Sequence, residues 1–237
     1  MEGLMVHAGS GKIGRQDLSL ITTPAATETH VPVPHADIVG GVIESLGYRR
    51  IEVVRDEYAV SKDGMRMFGV MDLSLEDRDI RFSLGIRNAH DKSFSFAMTV
   101  GYRVFVCDNL AFSGDFTPVT RKHTKNWNYV EVIGSALERM QRSFKPLVQQ
   151  IDVWKNHSLP DSHAKEIIYQ AFIAGDEFPK HLAKHVHHHY FEPEYEEFQP
   201  RNMWSLQNAF TSAFKVLEPI PQYAATAKLP AFLETTN

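Results

Sequence analysis

Residues 80–100 read IRFSLGIRNAHDKSFSFAMTV, and the reading of this stretch decides the fold. Ile80, Phe82, Leu84 and Ile86 alternate with Arg81, Ser83, Gly85 and Arg87. After the polar run Asn88-Ala89-His90-Asp91, Phe94, Phe96, Met98 and Val100 alternate with Ser95, Ala97 and Thr99. Successive strand side chains point to opposite faces, so each half predicts a strand with one face on a core and the other toward water or a ligand. A short polar connection between two such runs predicts an antiparallel hairpin.

Upstream, Ile51 and Val53 begin another strand, Lys62-Asp63-Gly64 offers the positive φ of a tight turn, and Met65, Met67 and Val70 return. A helix is predicted over 35–46, with Ile38, Val42 and Leu46 on one face and Gly47 ending it. Residues 1–35 read as an extended arm, because Thr22-Thr23-Pro24 and Val31-Pro32-Val33-Pro34 oppose helix. Gly9-Ser10-Gly11-Lys12 is no phosphate loop, since Ile13 stands where a metal-reaching hydroxyl belongs.

Downstream, Gly101 predicts a bulge or bend before one more strand over 102–112. From Asn126, read as an N-cap, the period changes. Val130, Ile133, Leu137, Met140, Phe144, Leu147, Ile151 and Trp154 form a heptad seam, and Pro146 inside it predicts a kink or break. The seam serves either to cover the sheet or to pair with a second copy of the chain. Further helices are predicted at about 160–174, 177–190 and 203–217. Pro219 and Pro221 end the last, leaving 219–237 as an extended tail. The fold class is α+β: an antiparallel meander over 36–125 packed against a long, Pro-kinked helix, with a helical part over 126–218 in the same domain.

Composition narrows the function classes. The 237 residues are 43% hydrophobic, with one cysteine and a formal net charge of −4. That excludes an internal disulfide framework and a uniformly cationic surface. No apolar run approaches the roughly 20 residues that span a bilayer, and the opening MEGLMVHAGSGKIG lacks a signal peptide's apolar core. The expectation is a cytoplasmic protein that does not enter membranes.

Three constellations carry chemistry. His181, His185 and His188 share a helical face by i, i+4, i+7 spacing and would offer imidazoles to a metal; the other reading, a solvated polar face, is preferred, and no cofactor is expected. Cys107 with Asn109 and His123 has the residue types of a thiol nucleophile, its orienting group and its base, although Cys107 also reads as a small buried hydrophobe. The third is a basic sheet face: Arg81, Arg87, Lys92, Arg103, Arg121, Lys122 and Lys125, with Tyr102 and Trp127 as stacking rings. Cations that hold phosphates beside rings that stack on bases suit single-stranded nucleic acid.

The segment Arg103-Val104-Phe105-Val106-Cys107-Asp108-Asn109, followed by His123-Thr124 and by Trp204-Ser205-Leu206-Gln207-Asn208-Ala209-Phe210-Thr211, resembles the phage- and plasmid-type family called domain of unknown function 932. The resemblance spans roughly 36–217 and carries Arg103, Cys107, Asn109, His123, Trp204 and Asn208 as motif residues. It implies a mobile-element setting and no particular activity. The combined expectation is a non-enzymatic, oligomeric single-strand-binding protein of DNA metabolism or recombination. The alternatives are a cysteine-dependent enzyme and a module that docks a host protein.

Overall fold

The computed structural model describes residues 10–105, 107, 109–112, 119–124 and 127–236. Strands β1 (Ser10–Ile13), β2 (Val53–Ser61), β3 (Arg66–Asp77), β4 (Ile80–Ala89), β5 (Phe96–Val104) and β6 (Leu110–Phe112) pair in sequence order. All of these pairings are antiparallel. A seventh strand, β7 (Val119–Arg121), shares the outer edge of β5 with β6: β6 pairs Gly101–Arg103 and β7 pairs Phe96–Met98. The meander is therefore as the alternation requires. Gly101 sits inside continuous β5, paired with Ser83, rather than at a bend; glycine stands there because a Cβ would meet Ala111 O at 2.3 Å and the Phe112 ring at 2.7 Å.

One face of the sheet carries Tyr58, Met67, Met71, Phe82, Leu84, Ile86, Met98 and Val100 into the main core. Helices α1 (His35–Gly47), α2 (Tyr129–Asn156) and α5 (Met203–Phe214) contribute to that core. Helix α2 starts at Tyr129, one step inside Asn128, whose side chain accepts from Glu131 N–H; Asn126 lies outside the described residues. The helix runs unbroken through Pro146. Of its seam, Ile133, Leu137, Met140, Leu147, Ile151 and Trp154 are buried in this chain's own core, so the seam covers the sheet and is not left over for a second copy. Helices α3 (Asp161–Tyr169) and α4 (Ala183–Phe191) complete that layer, α3 continuing as a π-helical turn, Gln170–Ala174, that ends at Gly175.

The second face corrects the sequence reading in two respects. The tail is not extended: α6 (Pro219–Thr235) is a helix with proline at its start, where the missing N–H costs no hydrogen bond. The face is also not open. Ala59, Phe68, Val70, Leu110 and Phe112 form a second apolar cluster against Tyr223 and Ala227 of α6. The Tyr223 hydroxyl bonds Thr99 Oγ1, and its ring meets Phe68 and Phe112 at 5.4 and 5.3 Å between centroids. Leu229 and Leu233 of the same helix are buried in the main core, so α6 is wedged between the sheet and the helical layer. No helix among the described residues is long and apolar enough to cross a membrane.

Candidate ligand cleft at the hairpin end of the sheet

The β4–β5 turn, residues 90–95, meets two other segments at one end of the sheet. Register places Arg121 opposite Phe96, the first residue of β5, so the chain leaves β7 beside that turn. The irregular stretch 22–34 passes over both. It is held by Val31 N–H to His123 O at 3.3 Å and by the Asn88 side-chain amide to Val33 O at 3.0 Å. Between the three segments lies a cleft of about 410 Å³. His30, Lys92, Phe94, Lys122 and His123 line it, together with the hydroxyl residues Thr29, Ser93, Ser95 and Thr124. Lys92 holds φ at 64°, a left-handed conformation that costs a lysine about 1 kcal/mol or more.

Behind the cleft stand four histidines and a tryptophan. His35 stacks on His90 at 4.0 Å, His30 on His123 at 5.5 Å, and His123 on Trp127 at 4.4 Å. Asn88 Nδ2 donates to His35 Nδ1 at 2.8 Å, while His35 Nε2 donates to Gly64 O at 3.1 Å. One nitrogen accepting and the other donating defines a neutral ring. Burial, then the neighbouring His90, pushes His35 down to about 4. Burial, then His30 and His90, does the same to His123, also to about 4. His90 is lowered too, chiefly by burial, while its Nε2 donates to Val33 O at 2.9 Å. His123 is 4% exposed, and neither of its ring nitrogens has a hydrogen-bond partner.

The residues expected to form a basic face are placed differently. Arg103 is 5% exposed and ion-paired with buried Asp72 at 2.8 Å, with Ser83 donating to the same carboxylate. Tyr102 points the other way, into the main core, where it stacks on Trp204 at 5.8 Å. Neither is available to a ligand on the surface. Arg81 is ion-paired with Glu76 and lies over the Phe105 ring, and Arg87 lies over Phe94 and Tyr223. The sheet face is thus neutralised and partly covered. Lys92 and Lys122 line the cleft, with Trp127 behind it; Arg121 belongs to β7, and Lys125 lies outside the described residues.

Cys107 and His123 are not brought together. Cys107 follows the last residue of β5 and His123 sits beyond its first, and eight residue steps at about 3.3 Å separate those ends by about 26 Å. Proton transfer from a thiol to a base needs a contact of about 3 Å. Asn109 instead bonds the Asn208 carbonyl and Oδ1, both at 3.2 Å, and Ser212 Oγ at 3.0 Å. Asn208 Nδ2 donates to Trp204 O at 3.0 Å, and Lys215 donates to the Cys107 carbonyl at 2.7 Å. This motif half is a clamp that fastens α5 to the end of β5. His181, His185 and His188 are exposed, and no group of three His, Cys, Asp or Glu side chains is placed to hold a metal among the described residues.

Residues 29–219 match a family model described as Domain of unknown function (DUF932). The chain belongs to this family. It matches no curated protein and no solved structure. The DUF932 match begins at Thr29, which lines the cleft, and stops at Pro219, the first residue of α6. The cleft therefore lies within the family region and the helix over the second sheet face beyond it. Of the family motif, Arg103, Asn109, Trp204 and Asn208 are interior structure, whereas His123 lines the cleft.

His30, His90 and Phe94 escaped the sequence reading. The signal that could have found them is that His90 sits in the hairpin turn and that His30 and His35 bracket the Val31–Pro34 run. His30 joins residues 60 and 93 positions away, and no local spacing reports that.

Proposed function

We propose that this DUF932 protein binds single-stranded nucleic acid without turning it over, and that it does so at the hairpin-end cleft rather than across the sheet. The supporting observation is the cleft itself. Two exposed lysines, Lys92 and Lys122, flank it, Phe94 offers a ring, and the buried His123 has unpartnered nitrogens. Lysine neutralises phosphate and an aromatic face stacks on a base of any sequence. A volume of about 410 Å³ is within the range of small-ligand sites and accommodates a nucleotide unit. In the mobile-element setting that the family resemblance implies, such binding would serve DNA metabolism or recombination.

The test is fluorescence anisotropy of a labelled single strand of roughly 35 nucleotides at low and near-physiological salt, with a duplex control. Binding is expected to prefer the single strand and to weaken as salt rises. Lys92→Glu with Lys122→Glu should reduce the slope of log K against log salt by about 1.4, at about 0.7 per lost phosphate contact. Absence of binding at low salt, or binding unchanged in the double variant, overturns the reading.

A further inference from the structure

We infer that the cleft is a phosphate-monoester site, built for a terminal phosphate on a strand end or on a free nucleotide, with His30 as a fixed positive charge at its floor. This deepens the single-strand reading and rests on it only for the source of the phosphate. The argument starts from hydrogen-bond geometry. His30 Nδ1 lies 3.0 Å from His123 O, and His30 Nε2 lies 3.0 Å from His90 O. Both partners are carbonyl oxygens, which only accept. A neutral imidazole has one N–H and would set a bare lone pair against the other oxygen at 3.0 Å, so holding both contacts takes a proton on each nitrogen.

The ring is 7% exposed, and its backbone N–H is tied to Thr27 Oγ1 at 3.2 Å. It is thus pinned by two distant parts of the chain, and cannot turn away. The other three rings of the cluster are held toward the neutral form. Burial is the first cause for each of them.

The surroundings then select the anion. Lys92 and Lys122 add two charges in front of His30, and Thr29, Ser93, Ser95 and Thr124 add hydroxyl donors. The acids nearest in sequence are diverted or outside: Asp91 accepts from Ser93 N–H and pairs with Arg66 at 3.5 Å, and Glu28 is exposed. A phosphate monoester carries a charge of about −1.5 to −2 and three acceptor oxygens, which matches this donor set better than the single charge of a diester. A diester must also continue in both directions, whereas the cleft ends on the buried rings of His30 and His123.

The experiment has a spectroscopic and a binding arm, both on the full chain. Long-range proton–nitrogen spectra of the histidine rings at pH 7 are expected to show both His30 nitrogens protonated and His123 neutral; a neutral His30 overturns the assignment. In the binding arm, one strand is compared with no terminal phosphate, with a 5′-phosphate and with a 3′-phosphate, alongside a nucleoside monophosphate and inorganic phosphate. A terminal phosphate is expected to tighten binding about tenfold, the scale of one charge-assisted hydrogen bond, and Lys122→Ala, at an exposed position, should remove that gain. Equal binding with and without the phosphate overturns the monoester site and leaves the single-strand reading standing. Binding of the nucleoside monophosphate or phosphate with no added affinity for a strand supports the site and overturns the single-strand reading.

Discussion

Acid should unfold this protein earlier than its carboxylates alone would dictate, and the stacked histidines set the size of the effect. In an unfolded chain a histidine titrates near 6.5, whereas His35 and His123 in the fold titrate near 4. A lowered folded value means that the unfolded state binds protons first, so stability is flat above about pH 6.5, falls between 6.5 and 4, and levels off below. At pH 5 each ring costs about 2 kcal/mol relative to pH 7, from 1.36 kcal/mol per unit across the titrated part of the gap. Together the two cost about 4 kcal/mol, a large share of the 5–15 kcal/mol typical of a domain. His90 acts in the same direction. The assay is urea denaturation at pH 7, 6 and 5, comparing the native chain with His35→Gln, His123→Gln and the double variant. Each variant should start less stable at pH 7 but lose about 2 kcal/mol less than the native chain on going to pH 5. Equal pH slopes in the native chain and the double variant would refute the claim that these rings are buried neutral.

Two sheet positions, Arg103 and Gly101, are tested by substitution, each beside a control. Arg103→Met removes the partner of buried Asp72 and should cost about 3–5 kcal/mol in urea, because a carboxylate is left uncompensated; adding Asp72→Leu should recover most of it, and no recovery would contradict the pairing. Gly101→Ala forces a Cβ against Ala111 O and the Phe112 ring, and should cost about 1–3 kcal/mol, whereas Gly134→Ala, where a Cβ meets nothing within 4 Å, should stabilise or be neutral.

The contrast between strand and tail explains what could be read in advance. Residues 80–100 announce themselves because a half-buried hairpin writes its two faces as alternation, and the alternation survives any detail of packing. Helix α6 writes nothing of the kind: it is buried on one side by Phe68 and Phe112 through Tyr223, and on another by the core around Leu229 and Leu233. Its apolar residues therefore do not gather on one stripe, and its three prolines argue for coil until their positions in the helix are known. Parity was legible at Tyr102 and Arg103, which must face opposite ways. Which face stays open was not, since that depends on a helix more than a hundred residues later. The cleft was half legible: Lys92, Lys122 and His123 stood out by residue type, but the floor comes from His30 in a stretch that reads as a loose arm.

The position of α6 in the chain has a consequence for how the molecule is made. Every strand of the sheet precedes it, so during synthesis the meander and α2 through α5 exist before the cover for Phe68, Val70, Leu110 and Phe112 has emerged. For that interval an apolar strip lies bare on an already paired sheet, the kind of surface that invites association between nascent chains. Helix α6 is therefore the closing step for that face, and a chain interrupted before Pro219 lacks the cover for this strip.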